Sequence, residues 1–87
     1  MRYQIEIKPQ AEKALGDLPH DDRRRVARAI DRLGDTPRPA GCVKLTGTAD
    51  AYRIRVGDYR VVYQIEDRVL VVYVIRIAHR REVYRRL

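Results

Sequence analysis

Apolar and polar residues alternate at the start of the chain, from Tyr3 to Lys8. This period of two is typical of a strand with one face buried. Pro9 follows, and proline suits the first turn of a helix. Apolar residues then recur at helical spacing and predict a short helix that stops at Pro19; they are Ala11, Ala14, Leu15 and Leu18.

A second helix is predicted to begin near Asp21 and Asp22, because carboxylates are favoured at the positive end of a helix dipole. Gly34 is placed to act as its C-cap. The residues predicted to face inward are Val26, Ala29, Ile30 and Leu33. The two segments together predict a helical hairpin.

Pro37 and Pro39 mark a loop, after which the pattern predicts strands over residues 44–56, 59–66 and 69–78. The last of these is apolar on both faces until Arg76, as expected of a central strand. The order of elements predicts one α+β domain over residues 1–87. It has an N-terminal strand, the helical hairpin and then antiparallel strands in a twisted sheet, with both helices on one face.

The second and third of these four strands form a hairpin whose register can be read from the pattern. A two-residue turn at Gly57-Asp58 places Arg55 opposite Arg60 and Arg53 opposite Val62. The other face is then continuously apolar and consists of Tyr52, Ile54, Val56, Tyr59, Val61, Tyr63 and Ile65. Like charges directly opposite each other cost roughly 0.2–1 kcal/mol, so the arrangement indicates either an anionic partner or a merely solvated polar face.

The next turn leaves two registers open. A three-residue turn over Glu66, Asp67 and Arg68 would keep Val71, Tyr73 and Ile75 on the apolar face and put Arg76 with the other arginines. A two-residue turn would exchange the two sets of side chains.

Charge adds a partner to this picture. The 87 residues include 19 Lys or Arg and 12 Asp or Glu, a net charge of +7 with a pI near 10.1. Such an excess of base over acid favours a polyanionic partner, most often nucleic acid. Residues 44–87 carry net +5 against net +2 in residues 1–43, so we expect the basic surface in the second half.

The chain offers little for a metal, cofactor or membrane. Its single cysteine, Cys42, permits no internal disulfide, and only His20 and His79 could add imidazole ligands. No metal or other cofactor is therefore predicted. The sequence also lacks a signal peptide and a long apolar run, so a reducing, cytoplasmic location is expected.

The final residues HRREVYRRL follow the last strand and bring His79, Arg80 and Arg81 to its C-terminal end. Here the sequence resembles the RelE/ParE toxin superfamily, specifically the RelE branch of bacterial type II toxin–antitoxin systems. The segments that carry the resemblance are KLTGTADAYRIRVGDYRVVYQI and IAHRREVY, in this order and spacing, and it extends over essentially the whole chain.

The resemblance implies a ribosome-dependent endoribonuclease that enters the decoding site and cuts mRNA, and that a RelB-type antitoxin holds inactive. Operator DNA would be bound only through the antitoxin complex. Carried onto this sequence, the resemblance assigns RNA contacts to Arg53 and Arg55 and catalytic roles to Arg60, Arg80 and Tyr84. The residues also suggest Lys44 and Arg81 as RNA-binding residues and His79 as a proton shuttle.

The predicted reaction is attack of the RNA 2′-hydroxyl on the adjacent phosphate, without a metal. Arg60 and Arg80 would clamp the phosphate, because planar guanidinium groups match its oxygens. Arginine is a poor general base at neutral pH. Tyr84 could stack on a base or transfer a proton in either direction, or it could simply pack on the sheet edge.

Two other functions remain open from the sequence. One is inhibition of DNA gyrase, the activity of the ParE branch on the same fold. The other is a non-catalytic basic module that acts with an antitoxin on operator DNA.

Overall fold

Two helices pack on one face of a five-stranded sheet in the structure, a computed structural model that describes residues 2–79. The strands occur in the order β1-β5-β4-β3-β2 across the sheet. Neither helix in this part of the chain is long and apolar enough to cross a membrane. The elements are β1 (Gln4–Ile7), α1 (Pro9–Gly16), α2 (His20–Arg32), β2 (Val43–Lys44), β3 (Ala51–Val56), β4 (Tyr59–Glu66) and β5 (Val71–His79).

The sheet is mixed, because its first strand runs parallel to its last. β1 pairs with β5 from Gln4 opposite Val71 to Ile7 opposite Val74, whereas β2 to β5 pair antiparallel. The helical hairpin carries the chain from β1 at one edge to β2 at the other. The predicted α+β fold is confirmed.

The core lies between the helices and the sheet. Tyr63 is fully buried there, and its hydroxyl donates a 2.7 Å hydrogen bond to the carbonyl of Pro37. Burial raises the pKa of this phenol. The helices contribute Ala11, Val26, Ile30 and Leu33, and the sheet contributes Ile54, Val61, Tyr63, Ile65, Val72, Val74 and Ile77. The predicted apolar sides of both helices and of the β3–β4 hairpin are therefore confirmed.

Gly34 is not the C-cap that the sequence predicts. Leu33 holds that position in a right-handed conformation, and Gly34 comes one residue later. A Cβ at Gly34 would lie 2.6 Å from the guanidinium carbon of Arg2, which forms salt bridges with Asp31 at 2.6 Å and Asp35 at 3.0 Å. Glycine is suited to this position because an arginine packs over its backbone.

The single strand predicted over residues 44–56 is wrong, because a loop divides it into β2 and β3. The hydroxyl of Thr48 donates to the carbonyl of Leu45 at 2.9 Å, and Gly47 adopts a φ of +83°. Threonine and glycine provide the turn chemistry that competes with a continuous strand. β2 consequently pairs only with Arg53 and Tyr52, which leaves the end of β3 at an edge of the sheet.

The connection from β4 to β5 has four residues, 67–70, so both predicted turn lengths are wrong. Val72 and Val74 therefore face the helices, whereas the three-residue turn predicted Val71, Tyr73 and Ile75 there. A β-bulge then intervenes, because Tyr63 lies opposite Val74 but Val62 lies opposite Arg76. The extra residue, Ile75, reverses the faces, so Ile77 enters the core.

A polar network holds the 67–70 connection to the rest of the fold. Asp67 accepts hydrogen bonds from Tyr3 at 2.6 Å and from Arg38 at 2.9 Å. Arg38 also donates to the Tyr52 hydroxyl at 3.0 Å and lies over that ring. The hydrogen bonds from Arg38 and Tyr3 lower the pKa of Asp67, because they favour its charged form.

Candidate nucleic-acid interface

A two-residue turn aligns the arginines of the β3–β4 hairpin. Gly57 has a φ of +59°, whereas Asp58 is not among the residues with positive φ, the arrangement of a type II′ turn. The turn pairs Val56 with Tyr59, Arg55 with Arg60 and Arg53 with Val62. The predicted register is confirmed.

Arg60 lies at the centre of four arginines on the sheet face away from the helices. It lies directly opposite Arg55, with Cβ atoms about 4.5–5.5 Å apart in such a pair. Arg53 on β3 and Arg76 on β5 both lie opposite Val62, which is two residues along β4 from Arg60. They are therefore diagonal to Arg60, one on each side of β4, at roughly 7–8 Å. We call Arg53, Arg55, Arg60 and Arg76 the arginine face.

The arginine face concentrates positive charge on a partly desolvated surface. Arg53, Arg60 and Arg76 are half-buried and Arg55 is exposed. The same-face neighbours of Arg60 in the register include Val62 on its own strand and Ala78 on β5. Within residues 2–79, no acid forms a salt bridge with Arg53, Arg55 or Arg76. Partial burial strengthens the field of these charges, so the surface is suited to an anion.

Two residues predicted for this site lie on the other face of the sheet. Lys44 pairs with Tyr52 and so shares the helix side of the sheet. His79 pairs with Tyr59, and the two rings make an edge-to-face contact with 5.5 Å between their centroids. Arg60, by contrast, pairs with Ala78. The structure therefore brings neither Lys44 nor His79 onto the arginine face.

The remaining predicted site residues, Arg80, Arg81 and Tyr84, lie outside the described residues. Arg76, which the predicted site omitted, belongs to the arginine face. The sequence contained a signal for it, because the three-residue turn would also have placed Arg76 with the other arginines. The structure reaches this placement through the bulge at Ile75 instead.

A second basic surface lies on the helix side and comes from the first half of the chain. Arg25, Arg28 and Arg32 recur at i, i+3 and i+7 and so share one side of α2. With Arg55 they line a cavity of about 350 Å³ whose lining also includes Ala29 and Val56. We call this cavity the α2 groove. The helical spacing of these three arginines is visible in the sequence. The comparison of net charge between the two halves of the chain nevertheless placed the basic surface in the second half only.

Potential metal ligands do not cluster in the described part of the chain. No group of three His, Cys, Asp or Glu side chains in residues 2–79 could hold a metal ion. The chemistry available from the described site is therefore that of its guanidinium groups.

Comparison with known proteins gives the same fold and a consistent family. A family model described as the ParE toxin of the type II toxin–antitoxin system parDE matches residues 5–84. The structure of an archaeal RelE–RelB complex from Pyrococcus horikoshii is similar, with 36% identity and a TM-score of 0.82, over 92% of this chain and 97% of that chain.

Two bacterial structures are also similar. The intact RelBE toxin–antitoxin complex of Escherichia coli has 30% identity and a TM-score of 0.77, over 88% of this chain and 95% of that chain. The RelBE2 toxin–antitoxin complex of Mycobacterium tuberculosis has 26% identity and a TM-score of 0.79, over 91% of this chain and 99% of that chain. The likeness thus extends over nearly the whole length of each protein.

Proposed function

The chain belongs to the RelE/ParE superfamily of toxins from type II toxin–antitoxin systems, and on this premise we propose that it is a ribosome-dependent endoribonuclease that cuts mRNA in the decoding site. The observation that supports this proposal is the position of Arg60, with Arg55 directly opposite and Arg53 and Arg76 on its diagonals. Such a surface offers several guanidinium donors to one stretch of phosphate backbone.

The proposed reaction is an internal displacement on the RNA. The 2′-oxygen loses its proton and bonds to phosphorus, while the bond from phosphorus to the 5′-oxygen breaks and that oxygen gains a proton. The products are a 2′,3′-cyclic phosphate, or its hydrolysed 3′-phosphate, and a 5′-hydroxyl. Negative charge grows on the phosphoryl oxygens, and guanidinium groups held in place stabilise that charge.

Arg60 is the proposed phosphate clamp, together with Arg80 from outside the described residues. Arg53 and Arg55 would hold the neighbouring backbone, with Arg81 and Lys44 as further RNA contacts. Because Lys44 lies on the helix side, it could contact only RNA that passes around the sheet edge.

Proton transfer needs a group other than arginine, which stays protonated at neutral pH. Tyr84 is the first candidate. His79 is the second, since an imidazole can exchange protons at cellular pH. In the described geometry the His79 ring packs against Tyr59, so this role would require it to leave that contact.

We further propose a RelB-type antitoxin as the partner that silences the protein in the cytoplasm. Several of the similar structures are complexes of a RelE toxin with RelB. An acidic segment that folds on binding could neutralise the arginine face. Operator DNA would then be contacted only through the antitoxin complex.

Gyrase inhibition is the second candidate, because the description of the matching family model names the ParE toxin. The same fold serves both activities, so the fold cannot decide between them. A gyrase inhibitor has no need of a phosphate clamp at Arg60. The effect of removing Arg60 therefore separates the two functions.

The test adds purified protein to mRNA alone and to mRNA on programmed ribosomes and maps new 5′ ends by primer extension. We expect cuts only with ribosomes, and we expect them to be lost in Arg60→Ala. Arg68→Ala is the matched control, because Arg68 is an exposed arginine in the 67–70 connection, away from the arginine face.

An absence of cuts from folded wild-type protein in both mixtures would reject the nuclease. A parallel supercoiling assay would then test gyrase inhibition. Inhibition that persists in Arg60→Ala would favour the ParE-like activity. Binding to operator DNA with antitoxin, and no effect in either assay, would favour the non-catalytic module.

A further inference from the structure

The α2 groove is a second basic surface, and the only residue that it shares with the arginine face is Arg55. Arg25, Arg28 and Arg32 are exposed, and they line the groove from α2 while Arg55 lines it from β3. The three helical arginines extend over about 10 Å of the helix axis, at 1.5 Å per residue. Each pair of like charges at these spacings destabilises a helix by about 0.2–0.5 kcal/mol. Helix stability therefore does not explain why the three arginines are placed together.

The acids near α2 do not neutralise the groove. Asp31 and Asp35 form salt bridges with Arg2, and Asp22 accepts a hydrogen bond from Tyr59 at 3.1 Å. Within residues 2–79, no carboxylate forms a salt bridge with any of the four arginines that line the groove. Asp21 lines an adjoining cavity with Arg25 and Arg28, but no described carboxylate lines the groove itself, so among the described residues the groove is lined by positive charge only.

The groove is built from both sides. The guanidinium nitrogens of Arg25 reach the hairpin turn, where a Cβ on Gly57 would lie 3.3 Å from them. Arg55 lies past the end of β2, at the exposed edge of β3, and so borders both the groove and the arginine face. Positive charge therefore continues around the sheet edge from one surface to the other.

We propose that the α2 groove binds the phosphodiester backbone of structured RNA at a place outside the cleavage site. The choice of RNA as the polymer rests on the proposed function. Among the described residues, the lining of the groove includes no carboxamide or aromatic side chain to read a base edge or stack on a base, whereas guanidinium groups bind phosphate oxygens. Binding is therefore expected to depend on backbone geometry rather than sequence.

The test measures binding of the full chain to a fluorescent 20-base-pair RNA duplex by anisotropy at several salt concentrations. The variant carries Arg25→Gln, Arg28→Gln and Arg32→Gln, because glutamine removes charge and keeps helix propensity close to that of arginine. The control carries Lys13→Gln, Arg23→Gln and Arg68→Gln, which removes the same charge from exposed positions that do not line the groove. Circular dichroism verifies that both variants fold.

Each neutralised phosphate contributes roughly 0.9 to the slope of log affinity against log salt. We expect the groove variant to lose about 2 to 3 from this slope and the control less than 1. Equal losses in both variants would overturn the proposal, because they would indicate diffuse attraction only. Poly-glutamate, measured in the same way, represents an acidic protein segment. If the groove variant loses affinity for poly-glutamate but not for the duplex, the groove accepts an acidic protein segment instead of RNA.

Binding to the duplex requires no cleavage, so this test is independent of the nuclease assay. Arg60→Ala, measured in parallel, should keep most of the duplex affinity while losing mRNA cleavage. Failure of the groove proposal and failure of the nuclease proposal would therefore give different results.

Discussion

Arg55 and Arg60 lie directly opposite each other on neighbouring strands, on the sheet face away from the helices. A cross-strand pair of like charges opposes folding by roughly 0.2–1 kcal/mol. The two arginines nevertheless occupy adjacent positions in a register that the hairpin turn fixes. Two guanidinium groups held side by side in this way are suited to binding an anion, at some cost in the stability of the free protein.

Replacing Arg55 with glutamate should therefore separate stability from activity. Arg55→Glu converts a repulsive pair into an attractive one and should raise the free energy of unfolding by about 0.5 kcal/mol, measured by urea denaturation. Cleavage on programmed ribosomes should fall roughly tenfold or more, because the same change repels phosphate. Arg68→Glu should leave cleavage within about twofold. A less stable Arg55→Glu protein would contradict the repulsion.

Arg76 should contribute to RNA binding although the predicted site omitted it. Arg76→Gln removes one cation diagonal to Arg60 and should weaken binding to a single-stranded RNA about threefold to tenfold. The slope of log affinity against log salt should decrease by about 0.7. Anisotropy titration at several salt concentrations gives both values. An unchanged slope would show that the arginine face ends at Arg60.

Gly57 should be required for the register of the hairpin. Gly57→Ala places a side chain at a φ of +59° and within 3.3 Å of Arg25, which should cost about 1–2 kcal/mol of stability in urea denaturation. Gly16→Ala is the control, because Gly16 ends α1 with no atom within 4 Å of an added Cβ. A neutral Gly57→Ala change would mean that the turn tolerates another type.

Asp67 should give the fold a stability that disappears in acid. Its pKa in the folded state is lowered from 3.8, so its contribution is present above pH 3.8 and is lost as the pH falls through the folded value. The difference in Tm between wild type and Asp67→Asn should therefore be largest near pH 6 and shrink below pH 4. Arg38→Gln should reduce the same difference. A constant difference across this range would show that the charge of Asp67 is unimportant.

The β3–β4 hairpin was predictable because two independent signals agree. Alternation from Tyr52 to Ile65 defines one apolar face, and the Gly57 turn aligns the strands so that both apolar sets coincide. The face of β5 was not predictable in this way. Val71, Val72 and Val74 read as apolar on both sides of the strand, so no period identifies the core side.

The bulge at Ile75 explains why the predicted site was partly misplaced. Without the extra residue, Arg76 would lie opposite Val61 on the helix side and His79 would lie opposite Asp58, on the side of the sheet that carries Arg60. With it, Arg76 joins the arginine face and His79 turns to Tyr59. Bulges depend on how three strands fit together, and single-strand patterns do not record them. The α2 groove was missed for a similar reason, since it forms only when α2 meets the end of β3.

The place of β5 in the sheet has a consequence for synthesis of the protein. β5 lies between β1 and β4, and its first residue pairs with Gln4. β1, the first strand to be translated, therefore cannot pair in the sheet until β5, the last described strand, has been translated. Contacts between residues so distant in sequence form slowly, because closing a long loop costs entropy before the pairing offsets it. The nascent chain cannot complete its core until Val71 and the residues after it have left the exit tunnel. Arg60 and Arg76 meet only at that moment, so the basic surface does not exist on the nascent chain before β5 has been translated and released from the tunnel.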